Sequence, residues 1–215
     1  MILIVLGVLI VLLLAAWTVV GYLPTKDIET PTYRVLETKK GYEIREYEPY
    51  IVAEVTLDGS YRQSLYGGFG KVADYIFGNN TKGGAIDMTA PVLQSEKPSS
   101  EKIAMTSPVL HEESDAGGGY TIAFVMPSEY TMATLPKPNN PEVKLREVPA
   151  KRFAVLRFGG YATSGRTARK TKALVSNLAR DGVKTTGKPV VAQYNPPWTP
   201  PYMRRNEIML EIASP

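Results

Sequence analysis

Two stretches of this chain repeat one another about a hundred residues apart. Residues 143–182 read VKLREVPAKRFAVLRFGGYATSGRTARKTKALVSNLARDG. Moved back by 101 positions, Arg146-Glu147 falls on Arg45-Glu46, Ala154 on Ala53, Leu156 on Val55, Phe158 on Leu57 and Gly160 on Gly59. After one inserted residue, Leu174 falls on Val72, Leu178 on Ile76, and Asp181-Gly182 on Asn79-Asn80. A chain that writes strand, helix and further strands twice is built as two similar halves. Two copies are too few for a solenoid, so this is a diverged duplication folded into one body.

The local patterns fill in the halves. Within residues 42–59, Ile51, Ala53, Val55 and Leu57 alternate with Val52, Glu54, Thr56 and Asp58, the period of a strand with one wetter face. Leu65, Phe69, Val72 and Ile76 then recur at helical spacing, which predicts a helix from about Ser60 to Phe77. Gly67, Gly68 and Gly70 each weaken it by about 1 kcal/mol relative to Ala. The helix therefore depends on tertiary packing, and its glycines leave room for a close approach. Each half ends in strands: Ile122, Phe124 and Met126 alternate inward in the first, and Ile208, Leu210 and Ile212 in the second. The predicted class is α+β: a distorted antiparallel β-barrel from two pseudo-symmetric halves, with two helices packed outside it.

Ahead of this domain lies MILIVLGVLIVLLLAAWTVVGYL, residues 1–23, with no charge and fifteen Leu, Ile or Val. As a helix it is long enough to cross a hydrocarbon core of about 30 Å. At roughly −0.3 to −0.6 kcal/mol per aliphatic residue, insertion is favourable by several kcal/mol. Trp17 and Tyr22 stand near its downstream end, where amphipathic rings favour the interface. A cleaved signal peptide is the alternative, but the stretch lacks a basic leader and a small-x-small cleavage site. The reading is therefore a single-pass anchor over 1–23, a tether and lead-in strand over 24–41, and a domain over 42–213 with halves of about 42–130 and 143–213. Lys26, Arg34, Lys39 and Lys40 after the span would hold the domain in the cytoplasm, while a short uncharged N-terminus favours export. Export is the preferred orientation.

The chain has no cysteine, so no disulfide framework exists. Its net charge of +4 belongs wholly to the part after the span. That suits an anionic ligand or membrane surface, but no Lys/Arg cluster is dense enough for a nucleic acid track.

One further repeat is local. Residues 88–93, MTAPVL, return as 105–110, MTSPVL. Thr and Val favour extended backbone, and each proline bends the strand end. The pair predicts an irregular hairpin that presents Met88 and Met105 at equivalent places. Met suits a groove that fits a flat ligand, though both side chains would serve equally as core.

Together, FGKVADYIFGNN, KIAMTSPVL and YNPPWTPPYMRRNEIMLEI, in this order and with the duplication, resemble the SOUL family of heme-binding proteins over residues 30–213. The resemblance implies a distorted barrel from two βαββ halves. It also implies non-covalent, exchangeable binding of heme or another tetrapyrrole in an apolar groove on the first helix and nearby loops. On this chain that groove would be lined by Phe69, Val72, Ala73 and Tyr75, with Met88 and Met105, and Lys71 would meet a propionate. Tyr66 stands where the family's pattern would use a base, and Arg62, one turn earlier, could take that role. His111 is the only histidine. It is the candidate axial ligand or else a solvated loop residue in HEESDAGGGY, with Met or Tyr as alternatives. Arg204 and Arg205 would contact an anion, or one of them would pair with Glu46 or Glu147 to close the barrel while Asn206 satisfies buried backbone. YNPPWTPP reads as a rigid loop with Trp198 across an end of the sheet, or as an exposed docking site.

Catalysis finds little support. A single histidine must serve any triad, and the Gly runs at 66–70 and 117–119 do not match phosphate loops. Three functions are compatible with these residues: a membrane-anchored tetrapyrrole binder for buffering or transfer, a binder of other amphipathic small molecules, or a protein-interaction module using the Pro-rich loops.

Overall fold

The computed structural model describes residues 1–26, 28–82, 100–114 and 118–213. In chain order the elements are α1 (Ile2–Tyr22), β1 (Tyr33–Lys39), β2 (Tyr42–Tyr47), β3 (Tyr50–Asp58), α2 (Tyr61–Ile76), β4 (Asn80–Thr81), β5 (Val109–Glu113), β6 (Gly119–Val125), β7 (Lys137–Pro138), β8 (Lys144–Val148), β9 (Lys151–Phe158), α3 (Ser164–Arg180), β10 (Val190–Gln193) and β11 (Asn206–Glu211). The stretch 42–59 is two strands, β2 and β3, because Pro49 cannot donate to a ladder.

Nine strands form one curled antiparallel sheet in the order β1-β2-β9-β11-β10-β5-β6-β3-β8, and β4 pairs separately with β7. Exchange the two halves, β2 for β8, β3 for β9, β5 for β10 and β6 for β11, and the order from β2 to β8 reads the same backwards. The pseudo-two-fold axis therefore passes between β10 and β5, where Val191 pairs with His111. β1 has no counterpart and lengthens one edge.

The helices cover one face of the sheet. α2 buries Val72, Tyr75 and Ile76 against Ala53, Val55, Ile122, Phe124 and Met126. α3 buries Leu174 and Leu178 against Ala154, Leu156, Ile208, Leu210 and Ile212. The alternations read from the sequence thus point toward the helices. Both helix starts are capped: Ser60 forms a capping box with Gln63, and Thr163 accepts from the Arg166 amide. Asp181 caps the end of α3, and Gly182 follows at φ +69°.

The helix-free face is also filled. Tyr47, Phe153, Val155, Ala192, Tyr194 and Met209 pack together under the second half, and Val52, Ala123, Val125 and Val148 under the first. Among the aromatic rings lies a buried ion cluster. Glu207, fully buried, accepts from Arg45 Nη1 at 3.1 Å, Arg205 Nη2 at 2.8 Å and Tyr194 Oη at 2.7 Å. Arg45 and Arg205 also lie over the rings of Tyr33 and Tyr194.

Candidate functional site

The side chains expected to line a groove on α2 divide between its two faces. Val72, Ala73 and Tyr75 are core residues at 0%, 8% and 1% exposure. Tyr75 donates from its hydroxyl to the Pro136 carbonyl. Phe69 is half-buried and packs against Phe124 at 5.2 Å. These residues hold the helix to the sheet, since positions 72, 75 and 76 share the stripe that faces it. Lys71 pairs with Glu142. Only Arg62 and Tyr66 stand on the exposed face, with the Arg62 guanidinium 5.7 Å from the Tyr66 ring.

A Cβ on Gly68 would stand 2.4 Å from Ile122 Cγ1, and one on Gly67 3.2 Å from Leu57 Cδ1. The close approach they permit is that of the helix to its own sheet. Met88 and the whole MTAPVL copy lie outside the described residues, so the expected hairpin does too. Met105 is 40% exposed, between the buried Ile103 and the Thr106–Pro108 stretch.

His111 is not in a loop. It lies in β5 at 2% exposure, because it pairs with Val191 and Ile122 and shares the side of the sheet that faces the helices. The Tyr61 ring covers it at 4.3 Å and the Tyr120 ring flanks it at 4.7 Å. Neither ring nitrogen has a hydrogen-bond partner among the described residues. Burial pushes its pKa down to about 4, so it is neutral near pH 7.

Around the exposed part of α2 the structure gathers residues that sequence spacing had not joined. Tyr61 donates from its hydroxyl to the Ala162 carbonyl, tying the start of α2 to the loop 159–163. That loop presents Tyr161, 44% exposed, with the Arg204 guanidinium 4.4 Å from its ring centre. Tyr66 is within electrostatic reach of the same arginine, whose pKa burial lowers. Arg166, in the first turn of α3, donates to the Gly159 carbonyl. The seam between α2 and this loop thus carries Arg62 over the Tyr66 ring and Arg204 over the Tyr161 ring, with Arg166 at the Gly159 carbonyl. No carboxylate pairs with these arginines among the described residues. No linear motif joins 62, 66, 161, 166 and 204, and only the Tyr161 loop, the counterpart of the turn before α2, hinted at the meeting.

Arg204 and Arg205 do not pair with Glu46 or Glu147. Glu46 is held by Arg34 and Arg152. Arg205 pairs with Glu207, and Arg204 donates to the carbonyls of Pro196, Pro197 and Thr199. Asn206, itself buried, satisfies the part-buried Gly160 carbonyl, donating to it at 2.7 Å. Trp198 is 54% exposed instead of packing on the sheet, because Arg204 fills the space beneath its loop.

A cavity of about 470 Å³ opens elsewhere, lined by Glu29, Glu48, Tyr50, Ile51, Val125, Met126, Met132 and Glu147 among others. Among the described residues, three carboxylates line it and no Lys or Arg does.

A protein-family model described as SOUL heme-binding protein matches residues 28–211. Heme-binding protein 1 of Bos taurus is 28% identical over 194 residues, covering 87% of this chain and 94% of that protein. Heme-binding protein 2 of Homo sapiens is 27% identical over 160 residues, 72% of each chain. Among solved structures, the EcmrR C-terminal domain aligns with a TM-score of 0.53 at 12% identity, over 86% of this chain and 99% of that one. That last likeness is one of fold.

Proposed function

The chain belongs to the SOUL heme-binding protein family, and on that premise we propose that it is a membrane-anchored binder of heme or a related tetrapyrrole, held on the seam between α2 and the Tyr161 loop. The observation that supports this site is the set of cations and aromatic faces there, without a carboxylate partner among the described residues. A porphyrin needs flat apolar contact and cations for its propionates. Tyr66 and Tyr161 offer the contact, and Arg62 and Arg166 offer charge-assisted hydrogen bonds. Arg204, already committed to three carbonyls, stiffens the floor. When bound, heme supplies its own iron-centred chemistry, and the residues here only hold and orient it. Such an open site suits exchangeable, roughly micromolar binding, and therefore buffering or transfer more than fixed electron carriage. His111 is sealed by Tyr61 and plays no part as a ligand in the folded protein.

The anchor is α1, 21 residues long, strongly apolar and without charge. By length and composition it suits a span or a signal sequence; the proposal takes the uncleaved span, with the domain exported.

Titration of the full chain in lipid nanodiscs with hemin, read by its Soret band, tests the proposal. It predicts saturable one-to-one binding below about 50 μM. Arg62→Glu with Tyr66→Ala should weaken binding at least tenfold, and His111→Val should leave it unchanged. Absence of saturable binding would remove heme as the ligand.

A second reading draws on the cavity. Its carboxylates oppose propionates but suit an amphipathic cation lying on Ile51, Val125 and Met126. Saturable uptake of a lipophilic cationic dye, undisturbed by hemin and lost in Glu48→Gln/Glu147→Gln, would favour it.

A further inference from the structure

The loop that carries Trp198 reaches down the side of α1 instead of stopping at its end. Trp17 Nε1 donates to the Trp198 carbonyl at 2.8 Å, and the hydroxyls of Thr18 and Tyr202 are hydrogen-bonded. Gly21 is the buried residue of α1, and a Cβ there would stand 2.4 Å from Pro200 Cδ. Trp17 lies five residues before Tyr22, so its partner sits about 7 Å short of the helix end. Were the loop held in water at that level, only residues 1–16 would be left to span. That is about 24 Å of helix against a hydrocarbon core of about 30 Å.

The loop is dressed for that depth. Trp198 and Tyr202 are 54% and 63% exposed, beside Trp17 and Tyr22 at 40% and 49%, and all four rings are of the kind that gathers at a bilayer interface. Arg204 satisfies the carbonyls of Pro196, Pro197 and Thr199, which matters where water is scarce. We infer that residues 196–202 are a second membrane contact, an aromatic loop that seats the domain on the lipid interface beside its anchor. This rests on α1 being an uncleaved span. Because Arg204 joins this loop to Tyr161, the α2 seam then lies next to lipid, and an amphipathic ligand passes between bilayer and seam without crossing bulk water.

The chain has no cysteine, so single labels are unambiguous. Pro197→Cys, Leu12→Cys and Lys172→Cys in the full chain, each carrying a nitroxide, are reconstituted into phosphatidylcholine vesicles. Relaxation by oxygen and by a water-soluble nickel chelate then reports depth by electron paramagnetic resonance. The inference predicts that the label at 197 is severalfold less open to nickel than the one at 172, with the label at 12 deeper still. A label at 197 as open to nickel as the one at 172, while 12 is in lipid, overturns the loop contact and leaves the anchor. A label at 12 that is itself open to nickel overturns the anchor and this contact with it.

Discussion

His111 occupies a position that the other half of the molecule fills with Val191, its partner across the pseudo-two-fold axis. A histidine in an apolar place is held neutral, and its pKa of about 4 lies below the 6.5 of a solvated imidazole. The unfolded chain therefore takes up a proton first. Above pH 6.5 neither state is protonated and stability is unaffected. As pH falls from 6.5 toward 4 stability declines, by up to roughly 3 kcal/mol, and below 4 the loss levels off. His111→Val should remove this slope, as read from urea denaturation at pH 5 and pH 7; a slope that persists would place its origin elsewhere. Glu207 makes the opposite kind of demand. Glu207→Ala leaves the buried Arg45 with only the half-exposed Glu43, and the half-buried Arg205 without its carboxylate, and should cost about 3 kcal/mol in the same assay. Neither role was legible from the letters alone. His111 stands next to Glu112 and Glu113, so its strand reads as polar until Val191 and Ile122 are seen paired with it. Glu207 reads as an ordinary charge in NEIMLEI until β2 brings Arg45 across from 162 positions away.

At the scale of elements, α2 shows how one helix uses three glycines differently. Gly68→Val drives a side chain into Ile122 and should destabilise by about 1–3 kcal/mol. Gly70 faces open space, so Gly70→Ala should stabilise by up to about 1 kcal/mol through helix propensity. Equal effects at the two sites, measured by chemical denaturation, would contradict this division. Helix limits were read closely from sequence, because a cap at Ser60 and the stripe Leu65–Phe69–Val72–Ile76 are local signals. Which residues of α2 stay exposed was not, since an apolar stripe marks core before it marks a groove. The prolines of YNPPWTPP predict a rigid loop, but its seat against α1 depends on contacts about 180 positions apart, which no local pattern records.

At the scale of the whole molecule, the duplication carried the most information. An offset of 101 residues predicted two equivalent halves, and the palindromic strand order is its consequence in space. The extra edge strand β1 was visible only as a lead-in. What the duplication cannot distinguish is where function broke the symmetry. The cationic seam belongs to α2 and the loop before α3, while the acidic cavity lies apart from it, and a charge total of +4 averages the two away. Hydrogen exchange read by mass spectrometry, on the full chain in nanodiscs with and without stoichiometric hemin, separates these surfaces directly. The account predicts slowed exchange in peptides covering 61–70 and 159–166, and no change in 125–133. Slowing confined to 125–133, or none in either region at saturation, would contradict it.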